Sequence, residues 1–141
     1  ELLYIPVFGW GLWASRPIAI DRSTKLNALD QVVVQGIRVL AEGRWVVVFP
    51  EGTRVPYGQK KKYNAGGAKL AIEAGVPIIP VAHNAGRLWG KRSFLKSPGV
   101  INVAIGQPIM TDAENPRELT RQAENWIENK LKEWAKQAGS L

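Results

Sequence analysis

Trp45-Val46-Val47-Val48-Phe49 is an unbroken apolar run, and the chain continues directly into Pro50-Glu51-Gly52-Thr53-Arg54. A continuous apolar segment of strand length, rich in β-branched and aromatic residues, reads as a strand covered on both faces. Pro50 and Gly52 then stop it and turn the chain. Strands buried on both sides belong to sheets flanked by helices, so the neighbouring segments decide the architecture.

Upstream, Leu26, Leu29, Val33, Gly36, Ile37 and Leu40 recur at helical spacing, with Ser23 or Thr24 as cap and Gly43 as stop. Before them, Ile18-Ala19-Ile20-Asp21 reads as a short strand bounded by Pro17. Downstream, a loop from Pro50 to Lys62 leads to a helix over about residues 65–74, with Gly75 beyond its end. Ile78-Ile79-Pro80-Val81-Ala82 reads as a second buried strand, with Pro80 marking an irregularity or an edge. Residues 100–105 read as a further strand. Asn115-Pro116-Arg117-Glu118 reads as a cap, a proline at the first helical position and a capping-box glutamate. The long helix after it places Leu119, Ala123, Trp126, Leu131 and Trp134 on one apolar stripe. This alternation predicts an α/β fold, a single domain over residues 1–141 with a largely parallel central sheet flanked by helices.

Composition agrees with a globular domain. The 141 residues are 45% hydrophobic and 22% charged, enough to bury a core. With no cysteine, a disulfide scaffold, a cysteine-ligated metal and a cysteine nucleophile are excluded; one histidine, His83, excludes a two-imidazole site. No stretch approaches the ~18 apolar residues of a spanning helix, and no metal site is expected. The chain opens on Glu1 without an initiator methionine, its sole methionine being Met110. Residues 2–15 carry no charge, and two readings stand for them. One is a short helix from Pro6 packing Val7, Trp10 and Ala14 into the core. The other sets Tyr4, Phe8, Trp10 and Trp13 at a lipid headgroup boundary.

The net charge of +7 is local: residues 59–96 hold 8 basic side chains against one acidic, Glu73, while both flanks are near neutral. Such an excess implies an anionic partner, or else a solvated lysine-rich loop around Lys60-Lys61-Lys62. Ligands of open α/β sheets bind beyond the carboxyl ends of the strands. That directs attention to Arg22, to Glu51, Gly52, Thr53 and Arg54, and to His83. Two guanidiniums can grip one phosphate bidentately, Gly52 permits close backbone approach, and Thr53 adds a hydroxyl. Glu51 can accept a hydrogen bond from a substrate hydroxyl. The plainer reading is a structural turn stapled by Glu–Arg pairs. No phosphate-binding glycine loop, dinucleotide fingerprint or nucleophile elbow is present. His83 has no acidic partner at nearby spacing and reads as a core or loop-polar histidine.

Phe49-Pro50-Glu51-Gly52-Thr53-Arg54 resembles the signature of the glycerolipid acyltransferases, the 1-acylglycerol-3-phosphate acyltransferases. Ile18-Ala19-Ile20-Asp21-Arg22 is similar to their preceding block and Val76-Pro77-Ile78-Ile79-Pro80-Val81 to their following one, in family order. The resemblance implies transfer of a fatty acyl group from acyl-CoA or acyl carrier protein to lysophosphatidic acid, giving phosphatidic acid in phospholipid biosynthesis. It implies that Arg22 and Arg54 hold the acceptor phosphate, that Glu51 and Gly52 line the acceptor pocket, and that Pro80 helps place the acyl chain or acceptor. No cofactor is implied beyond the donor. Lys60, Lys61 and Lys62 are expected to meet an anionic membrane, peripherally and on its cytoplasmic face, in a bacterial source.

Two departures limit the analogy. The family base, a His-x-x-x-x-Asp motif N-terminal to the aromatic stretch, is missing: five residues beyond His83 stands Leu88. The expectation is therefore an acyltransferase domain truncated at its N-terminus, with no catalytic residue of its own and no activity in isolation. Asn64 stands where the family commonly has a basic residue. The competing class is a non-catalytic basic module binding phospholipid or a membrane surface; nucleic acid is disfavoured because aromatics do not interleave with the lysines.

Overall fold

The helix foreseen ahead of Trp45 forms as α1 (Ala28–Ala41), with Val33 and Gly36 buried. Its end shows how a glycine stops a helix. Gly43 takes φ 73°, its N–H donates to the Leu40 carbonyl, and the Arg44 N–H donates to that of Val39. These two bonds make a Schellman motif, which satisfies carbonyls that the helix itself cannot. The computed structural model describes residues 10, 18, 28–91, 93–112 and 115–138. The chain divides into two units, Glu1–Trp45 and Val46–Leu141, each described by itself. The strand expected over residues 18–21 and the cap at Ser23 or Thr24 lie outside the described residues, Ile18 apart. So does most of the aromatic opening; Trp10, placed in the core by one of its two readings and at a headgroup boundary by the other, is exposed.

In the second unit, α2 (Gly66–Ala74) ends in the same way as α1: Gly75 is left-handed at φ 64°, with Schellman bonds to Ile72 and Ala71. β1 (Val81–His83) pairs with β2 (Val103–Ile105). A single turn of 3-10 helix, Ala85–Arg87, begins the long connection between them. α3 (Pro116–Ala138) follows and packs on both α2 and β1. Leu119, the most deeply buried large side chain described, sits in this core with Leu70, Ala68, Ala71 and Ala82. At the start of α3 the Asn115 side chain accepts the Arg117 N–H at 3.0 Å, the expected cap. The capping box is not completed as expected. Glu118 instead receives two hydrogen bonds from Arg121, at 2.8 and 3.1 Å.

A largely parallel sheet is not what the described residues show: their one pair of strands is antiparallel, with Val81 opposite Ile105, Ala82 opposite Ala104 and His83 opposite Val103. The physical reason lies in the connection. Parallel neighbours need a crossover, usually helical, whereas residues 84–102 hold Gly90, Pro98 and Gly99 and no helix beyond the 3-10 turn. An apolar run reports burial and carries no information on strand direction. Beyond β1 and β2 the pairing resumes at Ile78 and Ile109, where each N–H donates to the other's carbonyl. Two residues separate Ile78 from Val81 but three separate Ile105 from Ile109, so residues 106–108 bulge. Pro80, which has no N–H, sits at that irregularity and accepts from Gly106.

The apolar run Trp45–Phe49 forms no strand among the described residues, and it is not covered on both faces. Trp45, Val47 and Phe49 are strongly exposed and Val46 is half-buried; Val48, itself 40% exposed, packs one side over Gly67 of α2. This period-two alternation belongs to a segment with one face on the core.

Candidate functional site

Phe49 delivers the chain into a tight turn. The Gly52 N–H donates back to the Phe49 carbonyl at 3.0 Å, and Gly52 adopts φ 68°, a region that disfavours any side chain with a Cβ. Asn64 closes the turn from across the loop: its backbone N–H and its side-chain amide both donate to the Pro50 carbonyl, at 2.8 and 3.0 Å. A Cβ on Gly52 would lie 3.1 Å from that amide nitrogen, so glycine is required both by conformation and by space. Asn64 thus works as a structural clasp on the Glu51–Arg54 turn.

The turn places Glu51 half-buried and leaves Gly52, Thr53 and Arg54 exposed. Burial pushes the Glu51 carboxyl above its ordinary range, and the charge of Glu128 on α3 adds to this; His83 and Lys61 pull it back. Tyr63, buried beside it, donates its hydroxyl to Glu128 at 3.4 Å, and its phenol is likewise raised, first by burial and then by Glu128 and Glu51. The Glu–Arg staple of the plainer reading does not form. Arg54 turns instead to Trp89, its guanidinium carbon 5.5 Å from the ring centroid, and the Lys96 ammonium lies 4.4 Å from the same centroid. Trp89 is held by its own indole N–H, which donates to the Ser93 carbonyl at 2.9 Å.

The remaining expected residues distribute as follows. Arg22 lies outside the described residues, so the two-arginine grip is represented by Arg54. Pro80 is buried next to the Gly106 backbone, where an added Cβ would come within 2.8 Å of both the Pro80 ring and the Trp126 indole. Lys60 is paired with Glu124 of α3 at 2.9 Å, and Lys61 and Lys62 are exposed. His83 is exposed at the end of β1, which corrects the core half of its reading. Reading by local spacing missed Trp89, Lys96 and Glu128. The signal for Glu128 was its position one helical turn beyond Glu124, facing a lysine-rich loop. Among the described residues no group of carboxylates and histidines is arranged to hold a metal.

The site is therefore a glycine-centred turn that bears an exposed arginine and a partly buried carboxylate. Residues 1–84 match the family described as Acyltransferase, and the chain belongs to it. The chain is 48% identical over 136 residues to a 1-acyl-sn-glycerol-3-phosphate acyltransferase of Pseudomonas aeruginosa, covering 94% of this chain and 53% of that protein. It is 30% identical to the alpha form of that enzyme in Mus musculus, covering 89% of this chain and 45% of the mouse protein. The crystal structure of the 1-acyl-sn-glycerophosphate (LPA) acyltransferase PlsC from Thermotoga maritima superposes with a TM-score of 0.80 at 26% identity. The match covers 96% of this chain and 54% of the other. The chain thus spans about half the length of the relatives it matches.

Proposed function

We propose that the protein containing this chain transfers a fatty acyl group from an acyl thioester to the free hydroxyl of lysophosphatidic acid, forming phosphatidic acid. The observation that carries this reading is the Glu51–Arg54 turn, clasped by Asn64, which holds a half-buried carboxyl at Glu51 and leaves Arg54 exposed three residues on. The names of the relatives point to the same acceptor. Arg54 binds the acceptor phosphate with charge-assisted hydrogen bonds, and Glu51 with Gly52 lines the glycerol end. Arg22 is the second phosphate ligand by resemblance. The acceptor oxygen attacks the thioester carbonyl, the thiol leaves, and the hydroxyl proton passes to a base. Within these 141 residues there is no His-x-x-x-x-Asp motif to supply that base. The donor is acyl-CoA or acyl carrier protein, the enzyme works at a membrane surface, and the bacterial relative supports a bacterial source.

Titration calorimetry with monomeric lysophosphatidic acid tests the acceptor site. Arg54→Ala is expected to weaken binding about tenfold or more, the loss of a charge-assisted contact, with Arg54→Lys recovering it only in part. Equal affinity in Arg54→Ala sinks the reading. A second expectation concerns the base: the purified chain turns over no acyl thioester measurably. Turnover that disappears in His83→Ala would overturn that and make His83 the base.

A further inference from the structure

Residues 88–97 form a closed loop with a shaped tip. Its two ends are tied by the Ser97 N–H donating to the Leu88 carbonyl at 2.9 Å, and Leu88 packs against the Gly99 backbone. Inside it, the Ser93 N–H donates to Gly90 at 3.2 Å, the Ser93 hydroxyl to Leu95 at 2.7 Å, and the Trp89 indole to Ser93. This is the internal bonding of an Ω-type loop. Its tip consists of Phe94, 98% exposed, and Leu95, 81% exposed. Two adjacent bulky apolar side chains are held in water by a hydrogen-bonded scaffold.

The charges around the tip are all of one sign. Lys91, Arg92 and Lys96 bracket it in sequence, Arg87 precedes it, and no acidic residue occurs between Glu73 and Asp112. Trp89, 49% exposed, stands at the base of the loop with Lys96 and Arg54 over its ring. Apolar residues at the tip, an indole behind them and cations flanking both is the order of groups that an anionic bilayer surface accommodates. The other exposed apolar side chains differ. Val103 and Ile105 alternate along β2, the pattern of a sheet face, and Val47–Phe49 and Val100–Ile101 are exposed with no cation between them.

We propose that the 88–97 loop is a membrane-docking loop: Phe94 and Leu95 enter the acyl boundary of an anionic bilayer while Lys91 and Lys96 contact headgroup phosphates. Because Trp89 links the loop to Arg54, docking sets the acceptor turn at headgroup depth, a consequence that rests on the acceptor reading above. The two apolar residues are consecutive and almost fully exposed, which fits insertion into a fluid surface better than packing in a protein groove.

The test uses the 141-residue chain and co-sedimentation with phosphatidylcholine vesicles containing phosphatidylglycerol. The double variant Phe94→Ser/Leu95→Ser is expected to lose partitioning by about tenfold or more, with an unchanged circular dichroism spectrum because both residues are exposed. Lys91→Gln/Lys96→Gln is expected to weaken binding at low salt and flatten its salt dependence. Phe94→Trp is expected to be quenched by brominated lipid acyl chains beyond the parent protein. Equal partitioning of the serine variant, no vesicle binding by the parent, or no added quenching at position 94 each overturns the proposal. A serine variant that keeps vesicle binding but loses affinity for acyl carrier protein assigns the tip to a protein partner and also overturns it. Failure of the acceptor reading looks different: Arg54→Ala would then leave lysophosphatidic acid binding intact while the tip variant still abolishes vesicle binding.

Discussion

At the scale of single residues, Glu51 makes the clearest statement, because its environment and its intended chemistry pull on the same group. Burial and the neighbouring Glu128 raise its carboxyl above the ordinary 4.5. The folded protein therefore holds this proton more tightly than the unfolded chain does. Its contribution favours folding below the unfolded value and is lost as pH rises through the raised folded one. Glu51→Gln is accordingly expected to stabilise the fold near neutral pH by less than about 1 kcal/mol, read as a raised urea midpoint, a small gain because the group is partly solvated. The gain should vanish in acid below the ordinary carboxylate range, which urea melts at two pH values would show. Gly106→Ala is expected to act in the opposite direction. Its Cβ would sit 2.8 Å from the Pro80 ring and the Trp126 indole, an overpacking that costs about 1–3 kcal/mol and lowers the melting temperature. The Glu51–Arg54 turn was legible because proline and glycine dictate backbone locally. The Arg54–Trp89–Lys96 cluster was not, because no local spacing encodes a ring that two distant cations share.

At the scale of elements, punctuation was more legible than pairing. Gly43 and Gly75 were readable as stops because a left-handed residue is what a Schellman end requires, and glycine adopts it without a Cβ penalty. Gly75→Ala is expected to destabilise the protein by about 1 kcal/mol through strain at φ 64°, measured as a lowered denaturation midpoint. The helix after Asn115 was legible from its cap and stripe, and Leu119 on that stripe is 1% exposed. Leu119→Ala should cost about 2–5 kcal/mol, since α3 packs on both α2 and β1 and cannot collapse into the cavity from either side. Strand direction was not legible for a definite reason. Both Ile78–Ala82 and the 100–105 segment are apolar, and apolarity is the same for parallel and antiparallel neighbours. The decisive information lay in the connection, where Gly90, Pro98 and Gly99 leave no room for a crossover helix.

At the scale of the whole molecule, the charge and the apolar surface divide the labour. The basic excess over residues 59–96 is partly answered inside the fold, where Lys60 meets Glu124 and Lys61 faces Glu51. What stays uncompensated in sequence is the stretch from Arg87 to Lys96, which coincides with the exposed tip at Phe94 and Leu95. The second apolar region is of another kind: Trp45, Val47 and Phe49 are exposed along one segment, and Val81, Val103 and Ile105 are exposed along the hairpin. Contiguous apolar surface of that sort drives association when nothing covers it. The isolated chain is therefore expected to self-associate at micromolar concentration in sedimentation velocity. Val47→Lys should shift it toward monomer, because a charge on that face opposes edge-to-edge pairing while the half-buried Val46 and the Val48 contact with Gly67 are left in place. The same substitution should leave vesicle binding through Phe94 and Leu95 unchanged. A loss of vesicle binding in Val47→Lys would mean that the two apolar regions act together, and the division drawn between sheet face and loop tip would then be wrong.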